Sequence, residues 1–384
     1  MASLVAKTLT GRDDLVGVPS MIATFGAAAG AVSMTALSRR AGRRPAFILG
    51  YLFAAIGISI SLVSVLYEHF LIFLFGMTVL GFGRSVSALS RYAAGDLAPP
   101  EHRGKVISLV VWAATIGSVI GPLLISPSGR VLERLTGNEL GGSFAVGAVG
   151  FSVASLVLAI FLRPEPLTLI VVTPVATDQA EETEANREHA SESLTELIDQ
   201  PGVILALFTL AISQLVMVMV MAMTPVHIRA HGQALDMVGW VMMAHTLGMF
   251  AISPITGMLV DRLGTRLVIG LAVVVLVGSC LLSATAGNAE PVVLIVSLFL
   301  LGAGWNFGFV AGSTALTENV KVPQRLRLQG LADSITWISG GLGALASGLI
   351  VSATSYPFLG VVGACLAMIP IVPLFRNRNP KTAQ

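Results

Sequence analysis

The most conspicuous chemistry in this sequence is a full positive charge inside an apolar run. Arg84 stands fourteen residues into a run from 70 to 91, and Ser87 and Arg91 follow three and seven positions on. That spacing puts all three on one face of a helix. A guanidinium at such depth calls for an anionic partner, or else it snorkels its charge to the interface. Two further polar stripes occur in apolar runs: Asn306, Ser313 and Thr317 beside Trp305, and Gln214, Met217, Met221 and Thr224. Amides and hydroxyls so placed either hold a ligand or hydrogen-bond neighbouring helices. His245 suits proton carriage because imidazole titrates near neutrality, and its competing role is again a bond to a neighbouring helix. No nucleophile, base and orienting group converge in any motif, so an enzyme is not expected. Cys280 and Cys365 lie within apolar runs and read as small packing residues. No metal or cofactor is implied.

The elements that carry these residues must lie in lipid. Of 384 residues 54% are hydrophobic and 11% charged, with a mean hydropathy of +0.84. A water-soluble domain does not sustain that balance over such a length. Since a bilayer core needs roughly 20 apolar residues per helix, eleven spans are expected, near 16–38, 46–66, 70–91, 105–126, 142–162, 201–224, 237–260, 267–286, 292–317, 329–353 and 357–375. Alternate loops divide the basic residues seventeen to five, with Arg84 inside a span. The richer side is cytoplasmic, which places the C-terminus inside. A net charge of +2 gives no reason to expect nucleic acid.

Four regions follow: an N-terminal membrane half at 1–162, a linker at 163–200 holding nine of the twenty-one carboxylates, a C-terminal half at 201–375 and a cytoplasmic tail at 376–384. The acidic composition makes the linker a solvated joint between the halves.

The halves repeat. Thr35 to Arg44 matches Gly257 to Arg266 at an offset of 222, with identities at Leu37/Leu259, Arg40/Arg262, Gly42/Gly264 and Arg44/Arg266. The offset also pairs Arg103 with Arg325 and Lys105 with Arg327. Two halves of like orientation form a parallel repeat, as in some transporter folds. By the same offset, residues 1–10 correspond to the exit of a span that precedes them, so the chain is expected to fill slots two to twelve of a twelve-span fold.

At the repeated loop the chain resembles the major facilitator superfamily. Gly257, Leu259, Asp261, Arg262, Gly264 and Arg266 match that family's loop signature GxLxDRxGxR; the N-terminal copy has Thr35 and Arg39 where the glycine and aspartate stand. Gly117, Gly121 and Pro122 are similar to the GxxxGP motif of the family's antiporters. The resemblance implies an all-α polytopic fold of two parallel six-span halves, with slots one, four, seven and ten lining a central cavity. The expected substrate residues are then Arg84, Ser87, Gln214, Trp305 and Asn306, with His245 as a candidate for proton coupling. A cytoplasmic lock is expected from Arg39, Arg40, Gly42, Arg44, Arg103, Gly257, Asp261, Arg262, Gly264 and Arg266. The function implied is proton-coupled efflux of a small organic molecule from a multi-pass protein of the cell (inner) membrane, expected as a monomer. Transport of an organic anion held by Arg84, or a non-transporting relative lacking its first span, are the competing readings.

Overall fold

The structure is a computed structural model that describes residues 1–87, 113, 115–165, 198, 200–318 and 322–376. Its elements are helices: α1 (Ala2–Thr10), α2 (Val18–Ala41), α3 (Arg43–Leu66), α4 (Phe70–Arg84), α5 (Ile125–Thr136), α6 (Gly142–Phe161) and α7 (Pro201–Ala230). They continue with α8 (Leu235–Phe250), α9 (Ser253–Leu263), α10 (Thr265–Thr285), α11 (Pro291–Glu318), α12 (Val322–Ala353), α13 (Tyr356–Ala367) and α14 (Ile371–Arg376). Lipid offers backbone groups no hydrogen bonds, so each apolar run closes its own ladder as a helix.

Among the described residues nine helical segments are long and apolar enough to cross a membrane, and α4 is a shorter apolar helix. Two expected spans are each built from two helices, α8 with α9 and α13 with α14. The fourth expected span, 105–126, lies largely outside the described residues, of which 115–123 are helical.

The stretch after that span, expected as an external loop, is instead the helix α5. Its Val131, Leu132 and Leu135 interleave with Arg130, Glu133 and Arg134, an amphipathic pattern that single-span counting passes over. It ends at Gly137, whose left-handed φ of 78° lets its N–H bond back to Glu133.

The internal repeat is visible in the backbone. Gly42 (φ 102°, ψ 166°) and Gly264 (φ 79°, ψ 158°) both stand between one helix and the next, α2 to α3 and α9 to α10. A side chain at positive φ is strained, which explains why glycine recurs there.

The described chain divides into two compact units, the first formed by Met1–Pro174, Ala222–Met243 and Ala344–Ala353. In it α2 lies against α4 with almost no side chain between. A Cβ added at Gly26 would lie 2.2 Å from the Thr78 carbonyl oxygen, and one at Gly30 would lie 2.1 Å from that of Phe82. Since lipid is as apolar as leucine, close backbone approach and dispersion hold such helices together. Met34, Phe47 and Val86 form a buried cluster beside this crossing.

The second unit comprises Val175–Met221, Ala244–Gly343 and Thr354–Gln384. Here α11 is the packing centre. Added Cβ atoms at Gly304, Gly308 and Gly312 would meet Leu276 at 2.8 Å, Ser213 at 2.3 Å and Leu210 at 3.1 Å respectively. The cluster Val203, Leu210, Ile269, Ala311, Leu316 and Leu328 fills the interior around it.

Candidate functional site

The approach of α7 to α11 at Gly308 brings Gln214 and Trp305 together within the second unit. The indole Nε1–H of Trp305 donates to Gln214 Oε1 at 2.7 Å. Because an indole nitrogen only donates, this bond fixes which way the amide points. The Gln214 NH₂ is thereby turned away from Trp305, beside Gly340 of α12, where an added Cβ would lie 3.1 Å from Nε2. That NH₂ has no partner among the described residues, and it is not sealed from solvent. Trp305 itself is half-buried. Phe309 stacks on it at 4.8 Å with planes 16° apart, and Phe250 meets it edge-on at 6.4 Å. An aromatic shelf beside two fixed donors suits a flat group that carries an acceptor.

Asn306, the next residue, does other work. It is 2% exposed, and its Nδ2 donates to the Met249 carbonyl at 2.7 Å and to Ser253 Oγ at 2.6 Å, while its Oδ1 accepts from Thr256 Oγ1 at 2.5 Å. These partners flank the break at Ala251–Ile252 between α8 and α9. Asn306 therefore fastens that break to α11, away from the Trp305 face.

His245 lies at the α8–α11 crossing, 1% exposed, with Nδ1 3.0 Å from the Leu298 carbonyl. A carbonyl only accepts, so Nδ1 carries hydrogen. The opposite nitrogen, Nε2, is buried without a partner among the described residues. Such an orphaned acceptor is costly to bury.

In the first unit Arg84 ends α4 with an exposed side chain, and Ser87, also exposed, lies 3.4 Å from the hydroxyl of Tyr51. Among the described residues no carboxylate pairs with Arg84. Tyr51 stacks near Phe151 at 6.2 Å and was not legible as a site residue, since tyrosines are common at span ends.

The arginine-rich loop of this unit has an acid that the sequence pattern did not supply. Glu165, just beyond α6, accepts from the backbone N–H of Arg43 at 2.6 Å and of Arg44 at 3.1 Å. It thereby satisfies the first orphan donors of α3 and meets the positive end of its dipole. Arg44 in turn donates from Nη2 to the Ala159 carbonyl at 2.7 Å. Arg40, Asp261 and Arg262 are exposed. The side chain of Arg39 and the whole of Arg103, both expected in the lock, lie outside the described residues. Gly117, Gly121 and Gly257 have open space where a Cβ would stand; at the GxxxGP stretch the close approach is instead made by Gly239, whose Cβ would lie 2.8 Å from the Pro122 carbonyl oxygen.

Still within the first unit, the ends of α7, α8 and α12 meet the N-terminal helices. Arg229 pairs with Glu139, Arg130 reaches Asp236 at 3.4 Å, and a Cβ at Gly17 would collide with the Ala344 carbonyl oxygen at 1.7 Å. Neither ion pair was legible from spacing, because 90 and 106 residues separate the partners.

Many apolar helices, a repeated arginine-glycine loop and a polar shelf on α11 together define a polytopic membrane protein. The model of the Major Facilitator Superfamily matches residues 1–235 and 206–384, and the chain belongs to that family. It is 32% identical to the uncharacterized MFS-type transporter YddS of Bacillus subtilis over 100% of this chain and 87% of that protein. It is 25% identical to the riboflavin transporter RfnT of Brucella anthropi over 100% of this chain and 92% of that one. Among solved structures, the inward-open xylose transporter XylE of E. coli aligns with a TM-score of 0.73 at 15% identity, covering 100% of this chain and 91% of that one. The chain is thus a multi-pass membrane transporter of the superfamily fold.

Proposed function

We propose that this transporter moves a small organic molecule by alternating access and holds it against Gln214 and Trp305. The observation that carries this reading is the hydrogen bond between those two side chains, which presents an aromatic shelf and a fixed NH₂ pair in one place. Arg84 and Ser87 are proposed as the N-terminal contribution.

Proton coupling is assigned to His245, whose Nε2 is a buried acceptor without a partner among the described residues. A solved neighbour described as a D-xylose-proton symporter shares the fold at a TM-score of 0.72, which supports coupling to protons in this architecture. Export is the proposed direction, because Gly117, Gly121 and Pro122 resemble the antiporter motif. The lock at Asp261 and its arginine partners is proposed to hold the cytoplasmic side closed.

Reconstituted proteoliposomes test this reading. Riboflavin, the printed substrate of one relative, D-xylose and benzoate are loaded inside and an acid-outside gradient is imposed. Saturable release faster than in empty liposomes, lost in Trp305→Ala, is the expected result. Acceleration of uptake by the same gradient would replace antiport with symport.

A second reading has one observation in its favour. Arg84 is exposed with no carboxylate partner among the described residues, as a receptor for an organic anion would be. Selective transport of benzoate, abolished in Arg84→Ala and retained in Gln214→Ala, would favour it.

A further inference from the structure

The last span parts from its neighbour at one end. Along most of α13 it presses on α10: a Cβ at Gly360 would lie 2.7 Å from the Cys280 carbonyl oxygen, and one at Gly363 would lie 3.0 Å from Cys280 Sγ. Beyond Ala367 the chain turns through Met368–Pro370 before α14, a kink of the kind proline imposes. A Cβ at Gly270, near the start of α10, would meet only Leu374 Cδ2, at 3.8 Å. Between the diverging helices lies a cleft of about 620 Å³ lined by Leu267, Gly270, Val274, Leu374 and Phe375, with Arg266 at its mouth.

The walls are apolar and open outward: Leu267, Val274 and Phe375 are 65%, 68% and 59% exposed. The mouth is cationic. Arg266 reaches across the wedge and donates from Nη2 to the Leu374 carbonyl at 3.1 Å, which leaves other N–H groups of its guanidinium outward. Its repeat partner, Arg44, has Glu165 at the neighbouring helix start, whereas among the described residues no carboxylate accompanies Arg266. Both helix ends lie on the arginine-rich side, which the charge asymmetry assigns to the cytoplasm. The lipids of that leaflet include anionic ones that attract basic groups near the surface.

From these features we infer that the wedge binds an acidic phospholipid of the cytoplasmic leaflet. One acyl chain lies along Gly270 between α10 and α14, and the phosphate meets the guanidinium of Arg266. The planar fork suits phosphate, and the bond to Leu374 holds it in position. A cation with no carboxylate partner among the described residues favours a lipid of net negative charge over phosphatidylcholine, whose ammonium it repels. The site is separate from the substrate shelf and stands whether or not the transport reading holds.

Native mass spectrometry of the purified full-length protein, with phosphatidylglycerol or phosphatidylcholine of identical acyl chains added, tests the inference. The wild type should retain phosphatidylglycerol at least fivefold better. Arg266→Gln should bring the two headgroups to near parity, and Gly270→Leu, which fills the wedge, should lower retention of both. Parity in the wild type would overturn the proposal, as would a preference unchanged in Arg266→Gln or retention unchanged in Gly270→Leu. If either variant proves unfolded by its melting curve, the wild-type headgroup comparison and the other variant still decide the matter.

Discussion

Trp305 Nε1–H lies 2.7 Å from Gln214 Oε1, so one side chain sets the orientation of the other. Gln214→Ala leaves a half-buried indole without its acceptor and removes the outward NH₂ pair. Loss of one hydrogen bond to substrate costs about 0.5–1.5 kcal/mol, so the apparent KM should rise roughly two- to tenfold. Gln214→Glu keeps an acceptor for Trp305 but offers no donors. Transport kinetics of the pair check this: a normal KM in Gln214→Glu would show that the NH₂ pair does not touch substrate.

Asn306 should respond in stability instead. Its amide is spent on Met249, Ser253 and Thr256, so Asn306→Ala strands buried polar groups at the α8–α9 break, at about 1–3 kcal/mol each. The expected outcome is a lower melting temperature in detergent with KM nearly unchanged. A raised KM at wild-type melting temperature would return Asn306 to the binding face.

The contrast between these adjacent residues marks how far the sequence alone reaches. Span positions, the arginine asymmetry and the parallel repeat are legible because lipid imposes length and charge rules on every helix. Gly26 with Gly30, and Gly304 with Gly308 and Gly312, stand four residues apart, the small-residue spacing that lets helices approach closely. What each polar side chain meets depends on tertiary contact: Asn306 and Trp305 look alike as polar residues in one run, yet one faces a helix break and the other a glutamine 91 residues away. Glu165 reads as the first acid of a linker, and nothing local marks it as a helix cap.

The ion pairs in the first unit should bias access from outside. Arg229 with Glu139 and Arg130 with Asp236 tie the ends of α7 and α8 to the loop after α5 and to α5 itself. Partly exposed pairs are each worth about 0–1 kcal/mol, so Glu139→Gln should raise external labelling of a cysteine placed at Leu235 by about fivefold at most. Adding Arg229→Gln should change little further, since the pair is already broken. Independent, additive effects of the two substitutions would mean that they do not act as a pair.

The two hinge glycines allow a paired test of the repeat. Gly42 and Gly264 hold similar backbone angles, with positive φ and ψ of 166° and 158°, a region that is essentially confined to glycine, and an alanine at either costs roughly 1–3 kcal/mol. Their surroundings differ. A Cβ at Gly264 enters open space, whereas one at Gly42 would lie 2.7 Å from the Glu165 carboxyl carbon and 2.8 Å from Oε2. The carboxylate would have to move off the Arg43 and Arg44 N–H groups, and loss of such a cap costs about 0.5–2 kcal/mol. Gly42→Ala should therefore lower the melting temperature more than Gly264→Ala. In a Glu165→Ala background the difference should shrink, because the cap is already gone. Melting curves of the two alanine variants with and without Glu165 give the coupling directly; an undiminished difference would mean that Gly42 matters for some reason other than leaving room for Glu165.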